Sequence, residues 1–300
     1  MTGALPGAGA LPGAGALPDA EALATAHGII GRRAELRAVL ACLTAGRNVL
    51  LEGPVGVGKT ALARAVAEGL GRGQVRVDGD GRYTEAKLIG HFDPPGVLER
   101  GYHADLFVPG PLVQAMQQGA ILFVNELNRM PEGVQNVLLP AMDEGLVSVP
   151  HLGTVRAASG FALVATQNPR EFVATGHLSE ALLDRFELVP LSWQDQAEER
   201  SIVEQEARCR PTEDLVSRAV QLVRATRRDP RIRRGASVRA AVAIADLAQV
   251  LGGDLAQAAR LALATRIELV EGGEGQIDQV VADLVEGLEK KNPRSPTASS

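Results

Sequence analysis

GPVGVGKT, residues 53–60, fits the spacing G-x-x-x-x-G-K-[ST] of a phosphate-binding loop, and its reading decides the fold. Phosphate oxygens are crowded with negative charge. A glycine-rich turn can bring several backbone N–H groups to them without intervening side chains. On this reading Gly53, Pro54, Val55, Gly56, Val57 and Gly58 form the cradle, Lys59 reaches the β/γ-phosphates, and Thr60 offers its hydroxyl to Mg²⁺. The chain has four lysines against twenty-seven arginines, so a lysine at this position is not compositional noise. NVLLE (48–52) reads as a short apolar strand, and ALARAVAEGL (61–70) has helical spacing with no breaker until Gly69. An ordinary glycine turn is the bland alternative. Strand, loop and helix in this order argue against it.

Working outward, GIIGRRAELRAVLACLTAG (28–46) is a short apolar entry followed by a helix. Downstream, QVRVDG (74–79) alternates its apolar positions like a half-buried strand. AILFVNEL (120–127) and GFALVATQN (160–168) are near-continuous apolar runs, the mark of strands covered on both faces, and ELVPL (187–191) is a shorter candidate. Helices are predicted at 84–89, 111–118, 131–144 and 178–185. Strands alternating with helices imply an α/β fold, a parallel five-stranded sheet with helices on both faces. Ligands bind at the carboxyl ends of the strands in such sheets. GPVGVGKT, Asn125–Glu126 and Gln167–Asn168 each follow a strand and are expected to converge on one edge.

From Gln194 the pattern turns helical, with four stretches separated by Pro211, Asp229–Pro230 and Gly252–Gly253, and a weaker one, IDQVVADLVEGLEKK, near the end. The expected organisation is therefore a tail over 1–24, a nucleotide-binding domain over 25–192, a small all-α lid domain over 193–288, and a disordered tail over 289–300. The first tail rests on the repeat GALPGAG–ALPGAG–ALPDA, which buries too little apolar surface to offset its ordering entropy.

Composition narrows the function classes. A net charge of −5 and only nine aromatic residues argue against a nucleic-acid coat protein, a membrane-surface binder or a base-stacking platform. No run of eighteen apolar residues occurs, so no membrane span is expected. Cys42 and Cys209 lie far apart and read as ordinary, mostly buried thiols of a reducing compartment. The five histidines have no ligand spacing.

Taken in order, these motifs resemble those of the AAA+ ATPases, and among them the MoxR type, over about residues 27–250. ILFVNELNRMPEGVQNVLLPAMDEG is similar to that family's Walker B strand and following helix, where the pattern is D-E-[IL]-N-R-x-P. VATQNP (164–169) resembles its sensor 1, LSEALLDRF (178–186) its arginine-finger segment, and GASVRA (235–240) its sensor 2. The resemblance implies a P-loop NTPase fold with a helical lid, ATP and Mg²⁺ as cofactors, and a homo-oligomer, in the family usually a hexameric ring with ATP between subunits. It also implies a cytoplasmic, chaperone-like remodeller or activator of a protein client, often paired with a von Willebrand A domain protein.

Residue by residue, the resemblance makes Glu126 the carboxylate that orients and deprotonates the attacking water, and Asn168 the amide that holds that water. Arg185 becomes the finger that faces a neighbouring subunit's ATP. Arg239 becomes the sensor 2 arginine, in cis or in trans, and Ile29 and Ile30 belong to the segment packed on adenine. Asn125 departs from the pattern, for it stands where most members have the Walker B aspartate. Its carbonyl can still accept a hydrogen bond from a metal-bound water, but a full negative charge is lost. Weaker Mg²⁺ affinity is expected, and a nucleotide-gated scaffold with little turnover is the alternative reading. Seven arginines between 224 and 239 leave a DNA-dependent motor as a third; a lid loop facing an acidic neighbour or ATP explains them at least as well. Residues 90–112 are turn-rich and sit where helix-2 insert members carry a hairpin. A substrate-facing loop and a solvated connection are both open, the first favoured.

Overall fold

The computed structural model describes residues 17–168, 177–270 and 275–291. The chain divides into two units, residues 1–54 with 58–192, and residues 55–57 with 193–300.

The first unit begins with α1 (Ala20–Ala26) and α2 (Arg33–Thr44), then β1 (Asn48–Glu52) and α3 (Lys59–Gly69). β2 (Gln74–Asp78), α4 (Glu85–Ile89), β3 (Gly90–Phe92), α5 (Pro94–Arg100), β4 (Phe107–Pro109) and α6 (Pro111–Gln118) follow. Then come β5 (Ile121–Asn125), α7 (Glu132–Asn136), α8 (Leu138–Asp143), the hairpin β6 (Leu146–Val149) with β7 (Gly153–Arg156), β8 (Ala162–Gln167), α9 (Glu180–Leu183) and β9 (Phe186–Pro190). Five of these strands form one parallel sheet in the order β2-β5-β8-β1-β9. The two apolar runs, β5 and β8, occupy interior positions, and their first four residues are buried on both faces. The less apolar β2 and β9 take the edges, where Pro190, lacking an N–H, costs the ladder nothing.

Several expectations shift. The helix expected at 131–144 is two short helices, α7 and α8, because Pro140 cannot donate to a carbonyl of the preceding turn. Helix 178–185 shrinks to α9, capped by the Ser179 side chain. The amino-terminal tail does not extend to residue 24. Asp19 accepts a hydrogen bond from the Glu21 N–H, α1 starts at Ala20, and Ala24 is buried; residues 1–16 lie outside the described part. Residues 90–112 carry real structure: β3 and β4 pair antiparallel, with α5 between them. Cys42 is half-buried, but Cys209 is exposed, its backbone N–H donating to Asp246.

The second unit is helical but not wholly so. α10 (Gln196–Glu206), α11 (Glu213–Thr226), α12 (Val238–Val250), α13 (Leu255–Leu263) and α14 (Ile277–Lys291) share a core that includes Val220, Val223, Ile244, Leu263 and Val281. A short antiparallel ribbon joins β10 (Ile232–Arg234) to β11 (Glu268–Leu269). α14 runs three residues past the expected domain end at 288; residues 292–300 lie outside the described part.

A candidate nucleotide site at the carboxyl edge of the sheet

β1 leads into the glycine loop, where Gly56 and Gly58 have φ of 85° and 93°, a backbone that side chains rarely adopt. A Cβ on Gly58 would meet nothing within 4 Å, so the space there is open. Gly58 is also the N-cap of α3, and no side chain caps that helix. Its first-turn N–H groups therefore remain available to an anion, with the positive end of the helix dipole behind them. Thr60, half-buried in that turn, makes no side-chain hydrogen bond among the described residues. The Lys59 side chain is buried, and its ammonium donates to the carbonyls of Gly53 (2.5 Å) and Pro54 (3.0 Å) and to Oδ1 of Asn168 (3.0 Å). These acceptors stand in for phosphate oxygens. An open cradle, an uncapped helix start, a cation and an uncommitted hydroxyl form the donor set that a magnesium nucleotide requires, and the residues fit it.

The other strand ends meet this loop. Asn168, just past β8, accepts from Lys59 and donates through Nδ2 to Oε1 of Glu126 at 3.2 Å. Glu126, just past β5, is left-handed at φ 55° and ψ 50°, unusual for a residue with a side chain. Two contacts hold it there: its N–H donates to Thr166 Oγ1 at 2.8 Å, and Oε2 accepts from Arg129 at 2.7 Å. Lys59, Asn168 and Glu126 thus form one connected chain of polar contacts. Such a backbone outlier at a strand end is where functional strain collects.

Asn125 is more committed than its sequence position implied. Its Oδ1 accepts from Thr166 Oγ1 at 3.0 Å, and its Nδ2 donates to Asp78 at 2.9 Å. One lone pair of the carbonyl expected to serve the metal's water is already used. Asp78 also accepts from Arg76 at 2.7 Å, and that bond, followed by the Asn125 amide, holds its carboxyl below the usual range.

Arg185, between α9 and β9, contacts neither Lys59 nor Glu126. Its Nε donates to Asp143 at 2.6 Å and its Nη1 to the Ala181 carbonyl at 2.5 Å; the hydrogen bond from Arg185 lowers the Asp143 carboxyl. Arg239, in the second unit, is exposed near the start of α12, with no ion-pair partner among the described residues. Ile29 and Ile30 are half-buried, and the Ile29 N–H donates to Ala24. Most of the arginine cluster is accounted for internally. Arg224 and Arg227 share the buried Glu199, Arg231 pairs with Asp229 and Asp283, and Arg233 and Arg234 pair with Glu268.

Sequence reasoning missed Asp78, Thr166, Arg129 and Asp143. Thr166 left a signal, one hydroxyl inside an otherwise apolar buried strand. Arg129 sits three residues after Glu126, within reach in a helical turn. Asp78 and Asp143 left none, since their partners lie 47 and 42 residues away.

A parallel five-stranded sheet bearing a glycine loop, Lys59 and a polar strand-end cluster defines a P-loop nucleotide-binding fold. The chain belongs to the AAA+ ATPase family: residues 48–186 match the AAA domain of the dynein-related subfamily. It is 31% identical over 247 residues to the uncharacterized protein YeaC of Bacillus subtilis, covering 74% of each chain. It is 33% identical over 201 residues to the gas vesicle ATPase GvpN of Haloferax mediterranei, covering 62% of this chain and 58% of that one. The fold is also that of a Thermotoga maritima RuvB variant, with a TM-score of 0.50 at 17% identity over 87% of this chain and 70% of that one. No helix among the described residues is long and apolar enough to cross a membrane.

Proposed function

We propose that the protein is a MoxR-type AAA+ ATPase that binds ATP with Mg²⁺, hydrolyses it at a subunit interface of a homo-oligomer, a hexameric ring, and remodels or activates a protein client in the cytoplasm. The observation that carries this reading is the contact chain Lys59–Asn168–Glu126 beside the open glycine loop. It brings a phosphate-binding cation, a water-holding amide and a carboxylate base into one cluster. Bound Mg²⁺ supplies charge neutralisation on the phosphates, with Thr60 as its protein hydroxyl. Arg185 and Arg239 are proposed to meet γ-phosphate charge, Arg185 that of a neighbouring subunit. Relatives named as ATPases support turnover.

The favoured role of residues 90–112 as a client-facing segment gains support from an apolar groove of about 760 Å³ lined by Phe92, Leu98, Tyr102, Phe107 and His151. Leu98 is 89% exposed beside it, an unusual position for a large apolar side chain unless something covers it. A von Willebrand A domain protein is one client of suitable kind. A DNA motor is disfavoured by the internal pairing of the arginine cluster.

The second reading, a nucleotide-gated scaffold, is favoured by Asn125 alone. Glu126→Gln separates the two. The amide keeps shape but cannot take a proton, so the variant should bind ATP as the parent does and lose turnover by about 10²-fold or more. Steady-state phosphate release measures this. A parent without turnover under any Mg²⁺ concentration, yet binding ATP, establishes the scaffold.

A further inference from the structure

The charge missing at Asn125 has not left the sheet edge. Asp78 and Asn125 are register partners at the ends of the adjacent strands β2 and β5. The Asn125 amide has only one workable orientation. A carboxylate accepts and never donates, so Nδ2 must face Asp78, at 2.9 Å. Thr166 Oγ1 already accepts the Glu126 N–H, so its single hydrogen goes to Asn125 Oδ1. An aspartate at 125 would set two carboxylate oxygens against each other where a hydrogen bond now stands.

The backbone fixes this juxtaposition. The Gly79 N–H donates to the Asn125 carbonyl at 2.7 Å, and a Cβ on residue 79 would fall 2.1 Å from the Glu126 carbonyl oxygen. The turn after β2 is therefore pressed onto the strand end that carries Asn125 and Glu126. Asp78 cannot drift away without disturbing both.

We propose that Asp78 is the acidic group of the magnesium-nucleotide site, displaced one strand from its usual place, and that Asn125 is the residue that positions it. The inference rests on the reading under Proposed function. Asp78 acts as a fixed charge on the hydrated cation, and Asn125 ties that charge to the Thr166–Glu126 junction. Arg76, two residues away on the same face of β2, is the counterion of Asp78. Both members of that pair are about half exposed, at 46% and 60%, and an exposed pair of this kind holds weakly enough for a divalent cation to displace it.

The test is a charge swap on the full chain. Thermal unfolding is followed without nucleotide and with a non-hydrolysable ATP analogue, in EDTA and across a Mg²⁺ titration. Asp78→Asn should raise the Mg²⁺ concentration for half-maximal stabilisation by about tenfold, the effect of one nearby charge, while the shift in EDTA stays near that of the parent. Asn125→Asp alone should unfold at a lower temperature without nucleotide. The double variant Asp78→Asn with Asn125→Asp should recover both the nucleotide-free transition and the Mg²⁺ dependence, which loss of a merely structural contact cannot produce. Asp78→Glu keeps the carboxylate and should keep the Mg²⁺ dependence, which secures the test if Asp78→Asn folds poorly. An Asp78→Asn or swapped chain that gives the opposite result, parental Mg²⁺ dependence in the first or no recovery in the second, overturns the inference while leaving the proposed function standing. A parent chain that the nucleotide does not stabilise at all overturns the proposed function, and this inference with it.

Discussion

Lys59 illustrates how one buried side chain can be hydrogen-bonded within the chain and still, under the proposed function, serve a ligand. Its ammonium donates to two loop carbonyls and to the Asn168 amide oxygen. A phosphate oxygen is the better partner, since it adds an ion–ion attraction that a carbonyl dipole lacks. Lys59→Ala should therefore weaken ATP binding by about 10²-fold or more, each lost charged contact being worth about 1.5–3 kcal/mol. The Gly53 carbonyl that loses its donor is buried, so the unfolding temperature should fall as well, by about 2–4 °C for each kcal/mol lost. Titration calorimetry and a melting curve read the two effects separately; parental affinity would remove the loop from the site. Glu126→Gln is informative at the same scale because the left-handed backbone at 126 costs the same with either side chain.

At the scale of elements, buried ion pairs organise the second unit where apolar contacts alone leave arginines unpaired. Glu199 on α10 is 2% exposed and accepts from Arg224 (2.9 Å) and Arg227 (2.6 Å) on and just after α11. Arg227 also lies over the Trp193 ring, 3.9 Å from its centroid, and donates to the Ala236 carbonyl. Burial lowers its pKa, so the guanidinium depends on that carboxylate. Removing one partner of a buried pair leaves an uncompensated charge, which costs about 3–5 kcal/mol. Glu199→Ala should destabilise the chain by that order, and Glu199→Gln by less because it keeps a hydrogen-bond acceptor. Urea unfolding monitored through Trp193, the chain's one tryptophan, measures both. Equal stability of parent and Glu199→Ala would show that this cluster contributes no net energy. Five arginines that read in sequence as a basic patch are thus spoken for by acids from α10, α14, β11 and the turn before β10.

For the whole molecule the question is whether one chain holds a complete site. Arg185 is tied to Asp143 and Ala181, away from its own Lys59 and Glu126, so under the proposed function its target is another copy. Arg185→Ala and Lys59→Ala should each be nearly inactive, the first by about 10³-fold by analogy with arginine fingers that stabilise transferring phosphoryl groups. Mixed, they create some interfaces with an intact loop from one subunit and an intact finger from the other. Partial recovery of phosphate release, dependent on subunit ratio and total concentration, is the expected outcome. Mixed oligomers that form but stay inactive would argue against a finger at 185.

The five strands of the parallel sheet, their order of appearance and the glycine loop were legible in the sequence because each depends on near neighbours; the three short ribbons were not. NVLLE matches β1 to the residue, and the runs around β5 and β8 announce interior strands by their unbroken apolar character. A loop of eight residues between strand and helix carries its own geometry in its glycines. The pairing of Asn125 with Asp78, the tether of Arg185 to Asp143 and the retention of Glu126 by Thr166 were not legible. Each joins residues 40 or more apart, and which atoms meet depends on strand register and on where the intervening chain turns back. Local pattern determined that a glycine loop and a helix start stand at this sheet edge. Only the tertiary structure decided that the Asp78 carboxylate stands against Asn125, because strand register brings together residues that the sequence keeps apart.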